Sequence, residues 1–423
     1  MKVLVVGNGG REHALVWKIN QSPMVDKIFC APGNGGIAQI AECIDVDPTD
    51  IKGLVRFAKK NRIDLTVVGP ELPLTMGIVD QFEKAGLKIF GPNKKAAEIE
   101  GSKRFTKGLM AKYNIPSAEY RVFTKYKEAV QYIHEKESPL VLKADGLAAG
   151  KGVLVCSSRN EAFEGAERIL KNKEFGDAGN CLVIEECLVG EEASVLAITD
   201  GERLVTLPAA QDHKAIFEGD TGPNTGGMGA YTPAPVVTPK MLDIVKEKIL
   251  YPTIRGMKKE GRPYHGVLYA GLMFTREGPK VLEFNCRFGD PEIQAILPLI
   301  DTDLVVLIKE CLEGRLNEDL VKIKNQAAVC VVMASSGYPG SYEKDKIIHG
   351  LDQVKSDIMV FHAGTKIKNS EVFTSGGRVL GVTAVDDTIE KAIKKVYEAV
   401  GNITFNMAYY RRDIGHRALK RAI

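Results

Sequence analysis

Val281-Leu-Glu-Phe-Asn-Cys-Arg-Phe-Gly-Asp-Pro-Glu292 is the stretch whose reading decides the fold. Residues 281–285 alternate apolar and polar with a period of two, so a strand here sends Glu283 and Asn285 out on one face. A carboxylate and an amide oxygen side by side suit a hard cation such as Mg²⁺, which keeps waters and completes its shell with substrate phosphates. Arg287 and Asp290 follow where the chain leaves the strand, and a guanidinium there can hold a carboxylate or phosphate with two parallel hydrogen bonds. Glu-x-Asn alone is explained by an amphipathic strand with a solvated polar face. Arg287 and Asp290 packed behind it turn the reading toward a site.

Working outward, 423 residues exceed one ordinary core and imply two to four domains. The chain is 44% apolar and 26% charged, an ordinary globular composition. Its net charge of +3 makes no case for nucleic acid or membrane partners. Apolar runs such as Leu65–Gly69 are too short for a bilayer, and Met1–Gly7 reads as a first strand, not a signal peptide. Eight cysteines lack any Cys-x-x-Cys pair, and Cys181, Cys286 and Cys330 sit in apolar strands. That pattern suits free thiols in a reducing cytoplasm, not disulfides or zinc.

From the start, Lys2–Val6 is a β-run, and Gly7-Asn-Gly-Gly-Arg-Glu-His-Ala14 opens a helix, which makes a place for an anion. Glu12 stands where a Gly-x-Gly-x-x-Gly fingerprint needs its third glycine, so a dinucleotide site is not the reading. β-Runs at Lys27–Cys30 and Asp64–Gly69, separated by the helical Thr49–Lys60, extend a parallel α/β unit. Ligands of such sheets sit at the carboxyl ends of strands, where Gly7–Arg11, Pro32–Gly36 and Gly69–Glu71 cluster. Glu71 suits sugar hydroxyls, or it is simply a helix N-terminal acid. A helix over Lys95–Lys112 precedes a boundary at Ile115-Pro116.

Next, the strand Leu140–Lys143 leads through a loop with Gly146, Gly150 and Gly152 to the strand Val153–Cys156. Its backbone N–H groups can close over phosphates, although it has no Walker ending. A helix at Asn160–Asn172 and the strand Cys181–Ile184 lead into Glu185–Glu192, four acids in eight residues, which read as a sheet edge or hinge. Backbone groups there suit adenine, with Glu192 reaching a ribose. Gln211–Lys214 precedes Thr221–Tyr231, a long glycine-rich loop of the functional kind. Asp212 beside His213 lacks a nucleophile elbow, so substrate contacts are preferred over acyl-enzyme chemistry. A helix over Met241–Met257 and the strand Gly266–Phe274 return to the opening stretch. Ala327–Ile423 reads as a small α+β domain with β-runs at Ala327–Ala334 and Gly376–Ala384 and a helix at Thr388–Val400. No internal repeat is evident.

Taken in order, Gly7–His13, Lys143–Gly152, Glu185–Glu192, the 221–231 loop and Arg287–Glu292 resemble the phosphoribosylamine–glycine ligase family of the ATP-grasp superfamily. The resemblance runs from Met1 to Arg412–Gly415. It implies an N-terminal Rossmann-like parallel α/β domain (1–102), a central ATP-grasp fold (103–325) with a mobile lid over about 123–192, and a small C-terminal α+β domain (326–423). It also implies ATP-dependent ligation of glycine to 5-phosphoribosylamine through glycyl phosphate, with Mg²⁺ or Mn²⁺, in de novo purine biosynthesis. Residue by residue, Glu283 and Asn285 would hold the metal. Lys103, Lys143, Lys151 and the loop Gly146–Gly152 would meet the phosphates, Glu185, Glu186 and Leu188 the adenine, and Glu192 the ribose. Arg287 would clamp the glycine carboxylate and acyl phosphate, and Asp212 or Asp290 would receive the ammonium. Lys143, Arg287 and Asp290 form the catalytic group. Asn8, Gly9, Gly10, Glu71, Gly377 and Arg378 would hold the ribose 5-phosphate.

Two departures from the family pattern stand out. Leu268–Met273 carries no further metal carboxylate, which leaves the metal count open, and Ala215 stands where an Arg is common. The expected protein is a cytoplasmic monomer acting on small molecules, with transient contacts to neighbouring purine-pathway enzymes. Rival readings are a bicarbonate-activating ligase, separated by the glycine requirement, and an ATP-binding regulator without turnover, separated by ADP release. A dehydrogenase is more distant and would bind NAD.

Overall fold

The structure is a computed structural model, and it describes residues 1–147 and 152–421. Gly150 and Lys151, expected in the phosphate loop, lie outside the described residues. The N-terminal sheet is parallel, with strands in the order Glu42–Cys43, Lys27–Pro32, Lys2–Gly7, Leu65–Val68 and Ile89–Phe90. Val3 to Val6 are all fully buried, because helices cover both faces of such a sheet and its central strand reads as an unbroken apolar run. Gly7, Gly33 and Gly69 bring three loops together at the carboxyl end. Gly7 has φ +126°, and a Cβ at Gly7 or Gly69 would run into the side chain of Glu12. Glu12 therefore occupies the space that a bare dinucleotide turn would leave open.

The single helix expected over Lys95–Lys112 is two helices, Lys94–Gly101 and Lys103–Lys112. Ser102 leaves the helical region (φ −139°, ψ 111°), and its hydroxyl accepts from the N–H of Phe105, capping the second helix. The break puts Lys103 on the first helical residue, facing the glycine loop. Four antiparallel strands then form a lobe in the order Tyr120–Phe123, Leu182–Glu186, Leu140–Ala144 and Val153–Cys156. It has its own core around Ile133, Leu142, Ala166 and Leu182.

Cys187–Gly190 carries the chain from this lobe into a second antiparallel sheet, ordered Leu204–Thr206, Glu191–Thr199, Gly266–Thr275 and Gly278–Asn285. In its last pair Gly271 faces Glu283 while Leu272 faces Val281, so Leu282 is bulged out. The bulge interrupts the simple alternation read from the sequence, and the Leu282 carbonyl, freed from the ladder, accepts from Lys143 Nζ at 3.0 Å.

The C-terminal sheet is not built from the last hundred residues alone. Its order is Gln211–Asp212, Gly229–Thr232, Ala327–Ala334, Arg378–Asp386 and Ile358–His362, all antiparallel, backed by the helix Ile389–Asn402. The expected loop over Thr221–Tyr231 is thus partly strand. Thr221–Asn224 pairs with Ala215–Phe217 in a two-stranded hairpin, and Gly229–Thr232 is a strand between two others. Its glycines concealed this: Gly229 pairs with Val331, and a Cβ there would strike the carbonyl of Cys330 at 2.6 Å. Glycine in this strand marks a close approach of backbones, not a loop.

Candidate active site

Glu283 and Asn285 stand on one face of the edge strand, with Asn285 Nδ2 3.4 Å from Glu283 Oε1. Burial pushes the Glu283 carboxyl up, but Lys214, Lys143 and Lys103 outweigh it and hold it below the usual carboxylate range. Among the described residues no group of three or more His, Cys, Asp or Glu surrounds a common point. Two oxygen donors do not make a self-sufficient metal cage. They fit an ion that arrives with a nucleotide and takes the rest of its shell from phosphates and water.

Arg287 leaves this strand and is fixed from several directions. Its Nε donates to Glu71 at 3.2 Å, its Nη2 lies 3.3 Å from Glu100 and 3.4 Å from Asn285 Oδ1, and its Nη1 donates to the Phe288 carbonyl at 3.2 Å. Burial opposes its charge, but Glu100 and Glu71 more than compensate and hold it firmly protonated. Glu100 also accepts from the N–H of Cys286 at 2.7 Å, yet burial still pushes its carboxyl up.

Below the strip lies a cluster of lysines. Lys143 Nζ and Lys107 Nζ each lie 3.0 Å from the same oxygen of Glu185, a carboxylate whose other oxygen is buried without a partner. Burial drives the Lys107 ammonium down to about 8, against the pull of Glu185. Lys103 Nζ donates to the Gly146 carbonyl at 2.8 Å, and burial lowers its pKa although Glu283 raises it. Asp145 ties the start of the glycine loop to this helix, accepting from Ser102 and from the N–H of Arg104, each at 3.1 Å. Gly152 closes the far side through its carbonyl, which accepts from Ala144 N at 2.9 Å. An open cavity of about 460 Å³ lined by Ser102, Arg104, Asp145 and Glu260 adjoins this anchor but includes none of the strip.

Glu186 and Leu188 lie where the chain crosses between sheets. The Glu186 side chain accepts from Glu119 N at 3.0 Å, and its own N–H donates to the Glu119 carbonyl. Glu192 pairs with Lys214 at 2.7 Å. Lys214 also faces Asp212 and Glu283, and together these acids raise its pKa despite burial. Asp212 is buried, and burial pushes its carboxyl up to about 7 although Lys214 opposes this. Glu292 completes the floor, accepting from Tyr269 OH at 2.9 Å.

At the sheet's carboxyl end, Gly9 N donates to Glu12 at 2.5 Å, and Arg11 pairs with Glu12 at 2.5 Å. Asn34 Nδ2 donates to the carbonyls of Asn8 and His362 at 2.9 and 2.8 Å, clamping two loops. Gly10 begins the helix against Gln294, where a Cβ would lie 2.6 Å from its Nε2. Asp290 pairs with Arg378 at 3.2 Å and accepts from Gln294 at 2.7 Å. Burial raises the Asp290 carboxyl, but Arg378 and Arg11 bring it below the ordinary range. Arg378 also donates to the carbonyls of Gly226 and Asp290 at 2.6 and 2.9 Å, and Gly377 packs against Tyr338.

Two groupings therefore form. Glu283, Asn285, Arg287, Lys143, Lys103, Glu192 and Asp212 are linked by contacts and charges into one group. Asn8, Gly9, Gly10, Glu71, Asp290 and Arg378 gather at the sheet end, and Arg287–Glu71 joins the two. Sequence reading missed Glu100, Lys107 and Lys214. Lys107 stands one helical turn after Lys103, so the spacing was available. Glu100 and Lys214 find their partners far along the chain and had no local signal.

Three family models match the chain in succession: the phosphoribosylglycinamide synthetase N domain at residues 1–100, its ATP-grasp (A) domain at 101–293, and its C domain at 328–417. The phosphoribosylamine–glycine ligase of Caldanaerobacter subterraneus subsp. tengcongensis is 52% identical over 414 residues, covering 98% of this chain and 99% of its own. That of Escherichia coli O6:H1 is 51% identical, covering 100% and 99%. The crystal structure of the Thermotoga maritima phosphoribosylamine–glycine ligase matches with a TM-score of 0.85 at 33% identity, over 98% of this chain and 100% of that one. The biotin carboxylase domain of Hydrogenobacter thermophilus 2-oxoglutarate carboxylase, solved with MgADP and bicarbonate, matches at 0.73 and 16% identity over 97% and 91%, a likeness of fold.

Proposed function

This chain belongs to the phosphoribosylglycinamide synthetase family of ATP-grasp ligases, and from that premise we propose how its own residues divide the work. It is an ATP-dependent phosphoribosylamine–glycine ligase of purine biosynthesis. No helix among the described residues is long and apolar enough to cross a membrane.

The reaction is read as two displacements. The glycine carboxylate attacks the γ-phosphorus of ATP, giving glycyl phosphate and ADP, and the amine of 5-phosphoribosylamine then attacks the acyl carbon and expels phosphate. Neither step needs a covalent protein intermediate, so the protein's part is positioning and charge neutralisation. Glu283 and Asn285 would hold Mg²⁺ or Mn²⁺, which supplies charge neutralisation at the phosphate oxygens when bound. Lys143 and Lys103, with the N–H groups of the glycine loop, oppose the remaining phosphate charge. The Phe123–Glu192 lobe, acting as the lid, excludes water that would hydrolyse the acyl phosphate. Glu186 and Leu188 meet the adenine through their backbones, Glu185 serves the nucleotide only by holding Lys143, and Glu192 meets the ribose.

Arg287, locked by Glu71 and Glu100, presents its remaining donor edge to the glycine carboxylate and later to the acyl phosphate. We assign the glycine ammonium to Asp212 in preference to Asp290, because Arg378 and Gln294 already engage Asp290. Asn8, Gly9, Gly10, Gly377 and Arg378 receive the ribose 5-phosphate, with Glu71 near its hydroxyls. Glu12 occupies the Gly9 N–H, so phosphate binding there requires this carboxylate to yield or the phosphate to rely on Arg378.

The observation that carries the reading is the half-buried Glu283 3.4 Å from Asn285, with Arg287 3.4 Å from Asn285 and Lys143 3.0 Å from the neighbouring Leu282 carbonyl. The test is ADP release with Mg²⁺, ATP and freshly generated phosphoribosylamine, with and without glycine, in wild type and Glu283→Ala. Strictly glycine-dependent ADP release that is lost in the variant supports the assignment. Full activity in Glu283→Ala removes the strip from the centre of the mechanism.

A further inference from the structure

The hairpin Ala215–Asn224 follows directly after Asp212-His213-Lys214, and its tip is solvent-exposed. A two-stranded hairpin of this size is marginal by itself. It is held by the end of the chain. Arg411 Nη1 donates to the Ala215 carbonyl at 3.0 Å, and Arg417 Nη1 donates to the Asp212 carbonyl at 3.2 Å. These two carbonyls bracket His213-Lys214. Asp220 receives both guanidiniums, from Arg411 at 3.0 Å and Arg417 at 2.7 Å. The hairpin tip is stitched in return: Gly219 N donates to Asp413 at 2.9 Å, and Glu218 accepts from Arg412 N at 3.1 Å. Tyr409 OH adds a bond to the Ile216 carbonyl at 2.9 Å.

Arg411 is fully buried. A buried ion pair is poor evidence for stability, because desolvation offsets most of the attraction, and its attested use is to select one arrangement of the chain. Here the arrangement selected is that of Asp212 and Lys214. Lys214 is the cation shared by Glu192, Asp212 and Glu283, so a shift of its backbone moves the whole group. His213 lies between the two brackets with both ring nitrogens buried and unpartnered. The His213 backbone is held by the strand beside it, its N–H donating to the Gly229 carbonyl at 2.9 Å and its carbonyl accepting from Met228 N at 2.8 Å, and the guanidiniums hold the Asp212 and Ala215 carbonyls on either side.

We propose that Arg411–Arg417 is a positioning element of the glycine subsite: the two guanidiniums set the backbone on either side of His213-Lys214 and so aim the Asp212 carboxylate at the substrate ammonium. The inference rests on the assignment of Asp212 above. Nothing in the C-terminal segment needs to touch substrate.

Arg417 is the residue to test, because its side chain is 30% exposed and its loss leaves no buried hole. In the full chain, Arg417→Met raises the glycine KM about tenfold, the scale of one charge-assisted hydrogen bond. Its ATP KM and its kcat at saturating glycine stay within about twofold of wild type. Arg417→Lys, which keeps a charge for Asp220, recovers part of the loss. A merely structural role would lower kcat for all substrates together and leave the glycine KM alone, and that result overturns the proposal, as does an unchanged glycine KM. Asp212→Asn measured alongside separates the two layers. If it raises the glycine KM while Arg417→Met does not, the positioning role fails and the subsite stands. If Asp212→Asn leaves the glycine KM unchanged, the subsite assignment fails and the positioning role falls with it.

Discussion

Replacing Glu185 with Gln tests the ground on which the nucleotide lysines stand. In the folded protein two ammonium groups, Lys143 and Lys107, share one oxygen of this carboxylate at 3.0 Å each, and all three side chains are at most 8% exposed. Removing the negative partner of a buried pair costs about 3–5 kcal/mol, because the positive group stays desolvated without compensation. Part of that is relieved here. Lys107 already sits at about 8 with Glu185 as the main contribution raising it, so without the charge it sheds its proton at neutral pH instead of remaining a bare buried cation. The amide oxygen of Gln can still accept from Lys143. The expected net loss is therefore near the lower end, about 3 kcal/mol, read as a fall in urea midpoint at unchanged slope. Lys143 loses its charged anchor and keeps only neutral acceptors, the Gln amide oxygen and the Leu282 carbonyl, so the ATP KM rises about tenfold or more. The pair Glu185→Gln and Lys107→Met should be non-additive by at least about 1 kcal/mol, since the two share a contact. A stability loss under about 1 kcal/mol with the ATP KM within about twofold would refute the account of a lysine pair held by one acid.

Four further outcomes are expected. Glu100→Gln leaves Arg287 with Glu71 as its one carboxylate partner and lowers kcat/KM for glycine about tenfold or more while sparing the ATP KM, read by steady-state ADP release. Asp212 is held protonated up to about 7, so kcat/KM for glycine climbs with pH through that value, and Asp212→Asn flattens the profile. The same raised value means that the folded form binds the proton more tightly than the unfolded chain, so this group's contribution to stability declines as pH rises from about 4 to about 7. Lys107 is depressed from 10.5 to about 8. Between those values the unfolded chain binds more protons, so stability rises with pH by about 3 kcal/mol, and denaturation of Lys107→Met lacks that rise.

Local rules carried much of the fold. Period-two spacing over Glu283–Asn285, past the bulge at Leu282, is enough to put Glu283 and Asn285 on one face, and the unbroken apolar run at Val3–Val6 is enough for a covered parallel sheet. What escaped was set by distant partners. The helix pattern over Lys95–Lys112 continues through Gly101-Ser102, and only the cap geometry of Ser102, anchored to Asp145, divides it. The glycines of 221–231 look like a loop because the residues that pair with Gly229–Thr232 come from 211–212 and 327–334. Glu100, Lys107 and Lys214 are unremarkable in sequence. Their importance comes from charges that the fold delivers from elsewhere: Arg287 for Glu100, Glu185 for Lys107, and Glu283 with Glu192 for Lys214.

The mixed parentage of the C-terminal sheet has a consequence for synthesis on the ribosome. Gly229–Thr232 emerges with its neighbour Gln211–Asp212, but its other edge stays open until Ala327–Ala334 has been made. That is about 95 residues later, roughly 5–20 s of translation at ordinary rates. The hairpin beside it waits longer still, for Arg411 and Arg417. A chain that stops early thus has an incomplete sheet and an untethered hairpin, and it displays a bare strand edge of the kind that quality-control machinery engages. The guanidiniums that hold the hairpin are thus added after every strand of the sheet they steady.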